Sequence, residues 1–309
     1  SQTQLIDTLI YSKEITELIQ RINTSEAGEQ HKALLDFSES FSAYLVGFLL
    51  GEYKLKDAHV EKIETQFWLH RKAKLSFGIY VSYLRELGKA LPESVLNEHF
   101  HKKRKFEAAA NLSLVFDSFK AMHKDGFTEE SSFESELAKK MSGKNPSKIN
   151  LMGVFDLLTQ IRNRYAHAAD YQWPLGTAYY QIFNPPLLDT VNELISTFGE
   201  LAPYQLVMVD ELKADDKKVK YLNLESQGDQ ALEVRLADED SELLIEDKHF
   251  ILDQSQKPLF RYYKNELPLP NREVAEKCQS QDRLKMIEPT LRPAIEQCLQ
   301  NDDTIDSEE

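Results

Sequence analysis

Three residues near the middle of the chain have the types and the spacing of a phosphodiester-cleaving site. Arg162, Asn163 and His167 form the pattern Arg-Asn-x-x-x-His. RNA cleavage needs a base that takes the proton of the 2′-hydroxyl and a cation that stabilises charge on the phosphorane. Histidine exchanges protons near neutral pH, and arginine stays charged in a forked donor geometry. The pattern therefore predicts a metal-independent RNA-cleaving site with Arg162, Asn163 and His167 as its catalytic residues.

The spacing of the motif indicates how these residues cooperate. On a helix, Asn163 and His167 lie four residues apart on one face, so the amide can hold the imidazole in position. Arg162 and His167 lie about 140° apart around the axis, so one helix does not direct both at one atom. Two copies packed together could bring both pairs into one composite cleft. Three alanines permit the close approach: Ala166, Ala168 and Ala169.

The motif is short but informative. With 11 Arg, 12 Asn and 8 His in 309 residues, chance gives the full Arg-Asn-x-x-x-His pattern roughly 0.01 times. The pattern resembles the active site of the HEPN superfamily of ribonucleases, whose motif is Arg-x4–6-His, often with a polar residue after the arginine. The His-x-Tyr continuation of some toxin-type members is absent, because Ala169 stands at the tyrosine position.

The resemblance implies a set of functional expectations. These are a helical bundle, a homodimer, and cleavage of single-stranded RNA or tRNA loops to a 2′,3′-cyclic phosphate without a cofactor. They also include a role in antiphage defence or in a toxin–antitoxin system. An inhibitory or activating protein partner is left open. All of these are expectations by analogy with the family.

Basic residues around the motif are candidates for phosphate contact. Residues 70–124 carry a net charge of +6 and residues 139–167 a net charge of +5. The predicted RNA-binding residues are Arg164, Lys102, Lys103, Arg104, Lys105 and Lys148. The alternative is that these side chains only form a solvated, charged surface.

The overall charge of −14 is unevenly distributed. Residues 1–200 have a net charge of −3, and residues 201–309 have a net charge of −11. The acidic surplus therefore lies away from the motif and does not exclude an RNA substrate. It indicates the part of the chain that does not touch RNA, for which a sensor, regulatory or dimer-supporting role is expected.

The hydrophobic periodicity places the motif in a helical region. Apolar residues recur at helical spacing up to residue 201, and the period becomes two after Pro203. Predicted helices cover 3–23, 30–54, 58–91, 92–123, 133–141, 148–169 and 187–201, with an irregular segment over 171–186 and a broken helix over 271–300. Predicted strands, in an antiparallel meander, cover 206–209, 219–224, 232–236, 243–245, 250–252 and 259–263.

These elements predict an α+β, mainly α, fold class, with a HEPN-like helical bundle followed by a small antiparallel β-rich domain. The helical domain is expected over 1–202, with 1–90 as an elaboration and 91–202 as the motif-bearing core. The β domain is expected over 203–270. A C-terminal helix and an acidic disordered tail follow over 271–309.

Other features favour a cytoplasmic protein that needs no metal and no membrane. Cys278 and Cys298 are too few for a disulfide framework or a four-ligand zinc site. The first residues lack the basic and apolar segments of a secretory signal. The apolar run 43–50 is shorter than the roughly 18–20 residues that span a bilayer. His99 and His101 have no Cys and no third His nearby in the sequence.

Two other interpretations are consistent with the residues. His167 could be a buried structural histidine, with Arg162 in an ion pair to Asp156 or Asp170. The chain would then be a non-catalytic HEPN-type binding or regulatory protein whose acidic C-terminal part docks a partner. A nucleotide-binding or nucleotidyl-transferring protein is the third interpretation, and the missing phosphate-binding loop counts against it.

Overall fold

The computed structural model describes residues 13–101, 105–126, 132–201, 203–213, 215–223 and 231–302. These residues form a mainly helical region followed by a five-stranded antiparallel sheet, which confirms the α+β, mainly α, fold class. The chain divides into two compact units, Ser1–Ala58 with Leu75–Glu266 and His59–Lys74 with Leu267–Glu309. The domain boundaries expected at residues 90, 202 and 270 divide the chain differently and stay a prediction from the sequence.

The described elements follow one another along the chain as helices, then strands, then a last helix. The helices are α1 (Lys13–Thr24), α2 (Ala27–Leu55), α3 (Glu61–His70), α4 (Phe77–Ala90), α5 (Asn97–His101), α6 (Glu107–Lys124), α7 (Phe133–Met141), α8 (Leu151–Ala166), α9 (Ala168–Tyr171), α10 (Thr177–Thr197), α11 (Asp238–Ser241) and α12 (Arg272–Asp302). The strands are β1 (Gln205–Lys213), β2 (Lys218–Asn223), β3 (Ala231–Arg235), β4 (His249–Leu252) and β5 (Pro258–Tyr262).

Helix α2 is the central element of the first unit. Its 29 residues include 18 that are buried, and α1, α4, α8, α10 and β5 all pack against it. A helix that is apolar on every side is stable only when it is covered on every side. The buried hydroxyls of Ser38 and Ser42 donate to carbonyls one turn earlier (2.8 Å), so they carry no unsatisfied donor.

By length and composition α2 also resembles a membrane-spanning helix. It is the one such helix among the described residues, and 78% of its most apolar window is buried inside the structure. Most of its apolar surface is therefore covered by protein.

The predicted helix over 58–91 is wrong in one respect, because the structure divides it into α3 and α4. The Arg71 side chain lies 3.7 Å from the centre of the Trp68 ring, and its Nη1 donates to the Trp68 carbonyl (2.5 Å). This bond satisfies a carbonyl that would otherwise continue the helix, so α3 ends there.

The predicted helix over 92–123 is divided as well, into α5 and α6. The Asn97 side-chain amide donates to the carbonyls of Gly88 (3.2 Å) and Leu91 (2.7 Å) at the end of α4. The segment after Pro92 therefore caps α4 instead of starting a helix. Helix α6 ends as predicted before Gly126, which has a positive φ of 81°.

Prolines interrupt fewer helices than the sequence predicts. The segment 171–186 was expected to be irregular, yet α10 runs from Thr177 through Pro185 and Pro186. Helix α12 likewise continues through Pro289 and Pro293, where a break was predicted. Proline has a helical φ and removes one hydrogen bond, so packing can offset its cost. In α10 that packing comes from α2 and α6.

The sheet has the strand order β3-β2-β1-β4-β5, with every neighbouring pair antiparallel. The predicted simple meander is therefore wrong, because β4 pairs with β1 and not with β3. The predicted strand over 243–245 is also absent from the described sheet. Leu244 is buried there against the sheet core, so burial without strand pairing accounts for the apolar run. The acidic segment 238–242 contains the single-turn helix α11.

Strand β5 packs closely against α2 at two glycines. A Cβ atom at Gly47 would lie 2.5 Å from the Tyr262 ring, and one at Gly51 would overlap the Arg261 carbonyl oxygen. The two glycines are four residues apart, so they lie on one face of α2. This glycine face allows the backbone of β5 to approach the helix directly.

The second unit consists of α3 and α12 with their flanking segments. The Glu64 carboxylate is buried and accepts a hydrogen bond from the Asn271 backbone N–H (2.6 Å) at the start of α12. Its negative charge lies at the positive end of the α12 dipole. Lys277 pairs with Glu61 (2.5 Å), which raises the pKa of Lys277 and lowers that of Glu61. The disordered tail is predicted over 301–309, which is wrong for Asn301 and Asp302 because α12 extends through them. Residues 303–309 lie outside the described residues.

We expect Gly51→Ala to lower the free energy of unfolding by about 1–3 kcal/mol, because the added methyl group forces the sheet away from α2. The matched control is Gly78→Ala in α4, where a Cβ atom has open space within 4 Å. That change should raise the stability by about 0.5 kcal/mol, because it removes chain entropy from the unfolded state. Urea unfolding of both variants checks the prediction, and equal effects at the two positions would contradict it.

Candidate active site

Helix α8 carries the motif and is fixed at its start and along one face. The Asn150 side chain caps the helix by accepting a hydrogen bond from the Gly153 backbone N–H (2.8 Å). One face is buried through Leu151, Val154, Phe155, Leu157, Leu158 and Ile161. Nη2 of Arg85 on α4 lies 2.7 Å from both oxygens of Asp156. The motif therefore lies at the end of an anchored helix, with Arg162 and Asn163 inside it and His167 directly after it.

The helix ends one residue before the motif histidine. The predicted helix over 148–169 is too long, because His167 has turn geometry (φ −116°, ψ 36°) and α9 begins after it. Gln172 then adopts a left-handed conformation (φ 50°), and Trp173 enters the core with 4% of its surface exposed. The chain leaves the helical path where Trp173 packs against Phe119 and Tyr179.

His167 is exposed and contacts a carboxylate. More than half of its side chain (56%) is accessible, and Nδ1 lies 3.5 Å from Oδ2 of Asp170. Its backbone N–H still donates to the Asn163 carbonyl (3.0 Å). Asp170, and not the predicted Asn163 amide, is thus the side chain in contact with the imidazole in one copy of the chain. The alternative interpretation of a buried structural histidine is wrong.

Arg162 is partly exposed and contacts α2. Its Nη2 lies 3.5 Å from Oε2 of Glu39, with about a third of the arginine side chain accessible. The partners considered from the sequence are otherwise engaged, since Asp156 contacts Arg85 and Asp170 contacts His167. The Glu39 carboxylate orients the guanidinium and would also compete with a phosphate for it.

Arg164 has a different environment from Arg162. Its guanidinium carbon lies 4.0 Å from the centre of the Tyr171 ring and 5.5 Å from that of Trp173. Within the described part of the chain, its contacts are with these rings and with no carboxylate at ion-pair distance. Its charge therefore remains available for an anion.

The remaining predicted RNA-binding residues fall in two groups. Lys105 and Lys148 line one open groove of about 350 Å³, together with Asn111 and Glu107. The backbone N–H of Phe106 donates to the Ile149 carbonyl (3.4 Å), which joins the two segments. The other three candidates lie outside the described residues: Lys102, Lys103 and Arg104.

Other features singled out in the sequence have structural roles. His99 contacts Glu200 through Nε2 and packs edge-on against Phe198, so its ring joins the segment after α10 to α5. In the described part of the chain, no group of three or more His, Cys, Asp or Glu side chains is arranged to hold a metal ion.

A buried histidine lies directly behind the motif and was not identified from the sequence. His31 on α2 is fully buried, with its ring centre 5.3 Å from that of Tyr165. Its Nδ1 donates to Asn184 Oδ1 (2.9 Å), and its Nε2 accepts from the Tyr179 hydroxyl (3.2 Å). Burial lowers the pKa of His31 to about 4. The neutral ring thus joins α2, α8 and α10 beneath the candidate site.

We expect His31 to make the stability of the protein depend on pH between about 6.5 and 4. Because its folded-state pKa is lowered to about 4, its contribution is complete above pH 6.5 and is lost as the pH falls, by up to about 3 kcal/mol. Urea unfolding of wild type and of His31→Asn across this range isolates the effect, since other titrating groups are common to both. An unchanged stability difference between pH 7 and pH 4 would contradict it.

The protein therefore has a mainly helical α+β fold, and its Arg-Asn-x-x-x-His motif is accessible where α8 ends. A scan of protein-family models and searches of curated proteins and solved structures found no match. The cations Arg162 and Arg164 and the exposed imidazole of His167 lie within six residues of one another. This end of α8 can therefore bind an anion and exchange a proton.

Proposed function

We propose that the protein is a HEPN-like, metal-independent endoribonuclease that acts as a cytoplasmic homodimer on single-stranded RNA or tRNA loops. A role in antiphage defence or in a toxin–antitoxin system is part of this proposal, by analogy with the family it resembles. One observation supports this proposal most directly. Arg162 and His167 are both accessible at one end of an anchored helix, and His167 is more than half exposed.

The chemistry follows from the two side chains. The neutral imidazole of His167 accepts the proton of the ribose 2′-hydroxyl, and the 2′-oxygen attacks the adjacent phosphorus. The bond to the 5′-oxygen breaks, and that oxygen takes up a proton from an imidazolium. The products are a 2′,3′-cyclic phosphate and a 5′-hydroxyl. The Arg162 guanidinium stabilises the negative charge on the phosphorane oxygens.

A second copy of the chain completes this scheme. The motif of one copy contributes one imidazole, that of His167, whereas the reaction uses a base and then an acid on opposite sides of the phosphorus. Arg162 is also turned toward α2, where it contacts Glu39. A symmetric pair of α8 ends supplies two imidazoles and two guanidinium groups to one cleft. Phosphate then replaces Glu39 and Asp170 as the partner of the motif cations.

We expect purified protein to cleave single-stranded RNA in the presence of EDTA, with cleavage reduced at least about 100-fold in Arg162→Ala and in His167→Ala. Gel analysis of a labelled RNA measures this effect. Arg292→Ala is the matched control, because Arg292 is an exposed arginine on α12 that pairs with its neighbour Glu288. Equal cleavage by wild type and both motif variants, with unchanged melting temperatures, would refute the site.

Mixing the two inactive variants tests the composite site. A mixed dimer of Arg162→Ala with His167→Ala keeps one Arg162 and one His167 in the shared cleft. After subunit exchange in an equimolar mixture, about half of the dimers are mixed, so part of the cleavage should return. It should stay slower than in wild type, because water replaces the second imidazole as the acid. No recovery despite exchange, confirmed by native mass spectrometry, would show that each copy works alone or that the motif is not catalytic.

The non-catalytic alternative has one observation in its favour. In a single copy both motif side chains face carboxylates, Arg162 facing Glu39 and His167 facing Asp170. A binding or regulatory protein could keep these pairs permanently. Its signature would be a stable complex with a basic partner that is unchanged in His167→Ala, together with the absence of cleavage by wild type.

A further inference from the structure

Tyr171 is a large aromatic residue that lies exposed beside the motif. Its accessible fraction is 43%, which places it among the exposed large hydrophobic residues of the described part of the chain. The guanidinium of Arg164 lies 4.0 Å from the ring centre, and behind it the buried Trp173 ring lies 5.5 Å from the same guanidinium. The three groups form a series from the core to the surface, with Tyr171 outermost.

The Tyr171 ring stands on a fixed backbone. Its N–H donates to the His167 carbonyl (3.1 Å), and its C=O accepts a hydrogen bond from Nε2 of His123 on α6 (3.1 Å). The buried Trp173 anchors the chain two residues later. A ring held in this way loses little conformational entropy when a ligand packs on it.

The position of the ring matches the geometry of a cleavage site. The backbone N–H of Tyr171 is hydrogen-bonded to the carbonyl of His167, the proposed base. Arg164 provides a positive charge and has no carboxylate partner among the described residues. RNA-binding proteins recognise unpaired bases by stacking them on aromatic side chains and on arginine planes. A base stacked on Tyr171 would leave its phosphate within reach of the nearby cations.

We propose that Tyr171, supported by Arg164, is a nucleobase-stacking platform that positions an unpaired base next to the bond to be cut. This inference rests on the proposed ribonuclease function and deepens it. The platform restricts the substrate to nucleotides that are free of base pairs, because a paired base has neither face open to a side chain. Stacking depends weakly on base identity, so the platform selects for single strands more than for sequence.

The test uses full-length protein carrying His167→Ala, so that bound RNA stays intact. Fluorescence anisotropy measures the affinity for a short labelled oligoadenylate and for an abasic oligomer of the same length. Tyr171→Ala should weaken oligoadenylate binding about 5- to 100-fold and leave abasic binding unchanged, because it removes only the stacking surface. Tyr171→Phe is the matched control, which keeps the ring and should keep the affinity.

Three results would overturn the inference, and they differ from one another. If the His167→Ala protein binds oligoadenylate equally well with and without Tyr171→Phe or Tyr171→Ala, Tyr171 is not a stacking platform, and the ribonuclease proposal is unaffected. If Tyr171→Ala weakens the binding of both oligomers equally and the dimer is lost in sedimentation, Tyr171 is a subunit contact instead. If the protein with native His167 neither binds nor cleaves RNA, the proposed function fails and the platform fails with it.

Discussion

The extensive burial of α2 is the constraint on which the rest of the first unit depends. A helix with 18 buried residues is stable only when other elements cover it, and each fully buried large apolar side chain contributes roughly 1.5–3 kcal/mol. The covering elements include α8, which carries the motif, and β5, which approaches at Gly47 and Gly51. The same helix contributes Glu39 to Arg162 and His31 to the packing behind Tyr165. The candidate site is thus built directly on the core.

The residues at the end of α8 are exposed, although the helix itself is fixed by the core. Trp173 is buried, and the chain reaches it by leaving the helix at His167 and turning at Gln172. Because the helix ends there, His167 faces solvent and Tyr171 lies outside Arg164. The position of each side chain is therefore a consequence of core packing. The accessible side chains are free to meet a ligand or a second copy.

The sequence predicted much of the fold because helical and strand periods are strong signals. The helix over 133–141 is confirmed at its predicted bounds, and five of the six predicted strands overlap observed ones. The wrong helix bounds arise where tertiary contacts decide the structure, because hydrophobic periodicity does not reveal such contacts. The Arg71 side chain ends α3, Asn97 caps α4, and packing carries α10 through Pro185 and Pro186. The sheet order was missed because β4 pairs with the distant β1.

For the site, the sequence identified the motif but not its surroundings. Three long-range neighbours come from distant parts of the chain: Glu39 beside Arg162, His31 behind Tyr165, and His123 bonded to the Tyr171 carbonyl. No local pattern predicts such contacts. The exposure of Tyr171 had a weak local signal, since polar Asp170 and Gln172 flank it.

The most direct test of the central claim is cleavage of an RNA that carries one 2′-deoxynucleotide at the cleaved position. The account predicts that wild-type protein cuts the all-ribose RNA in EDTA and leaves a 2′,3′-cyclic phosphate and a 5′-hydroxyl, while the 2′-deoxy bond stays intact. The 2′-oxygen is the nucleophile in this mechanism, so its removal must stop the reaction. Cleavage of the 2′-deoxy bond, 5′-phosphate products, or no cleavage of the all-ribose RNA would contradict the account.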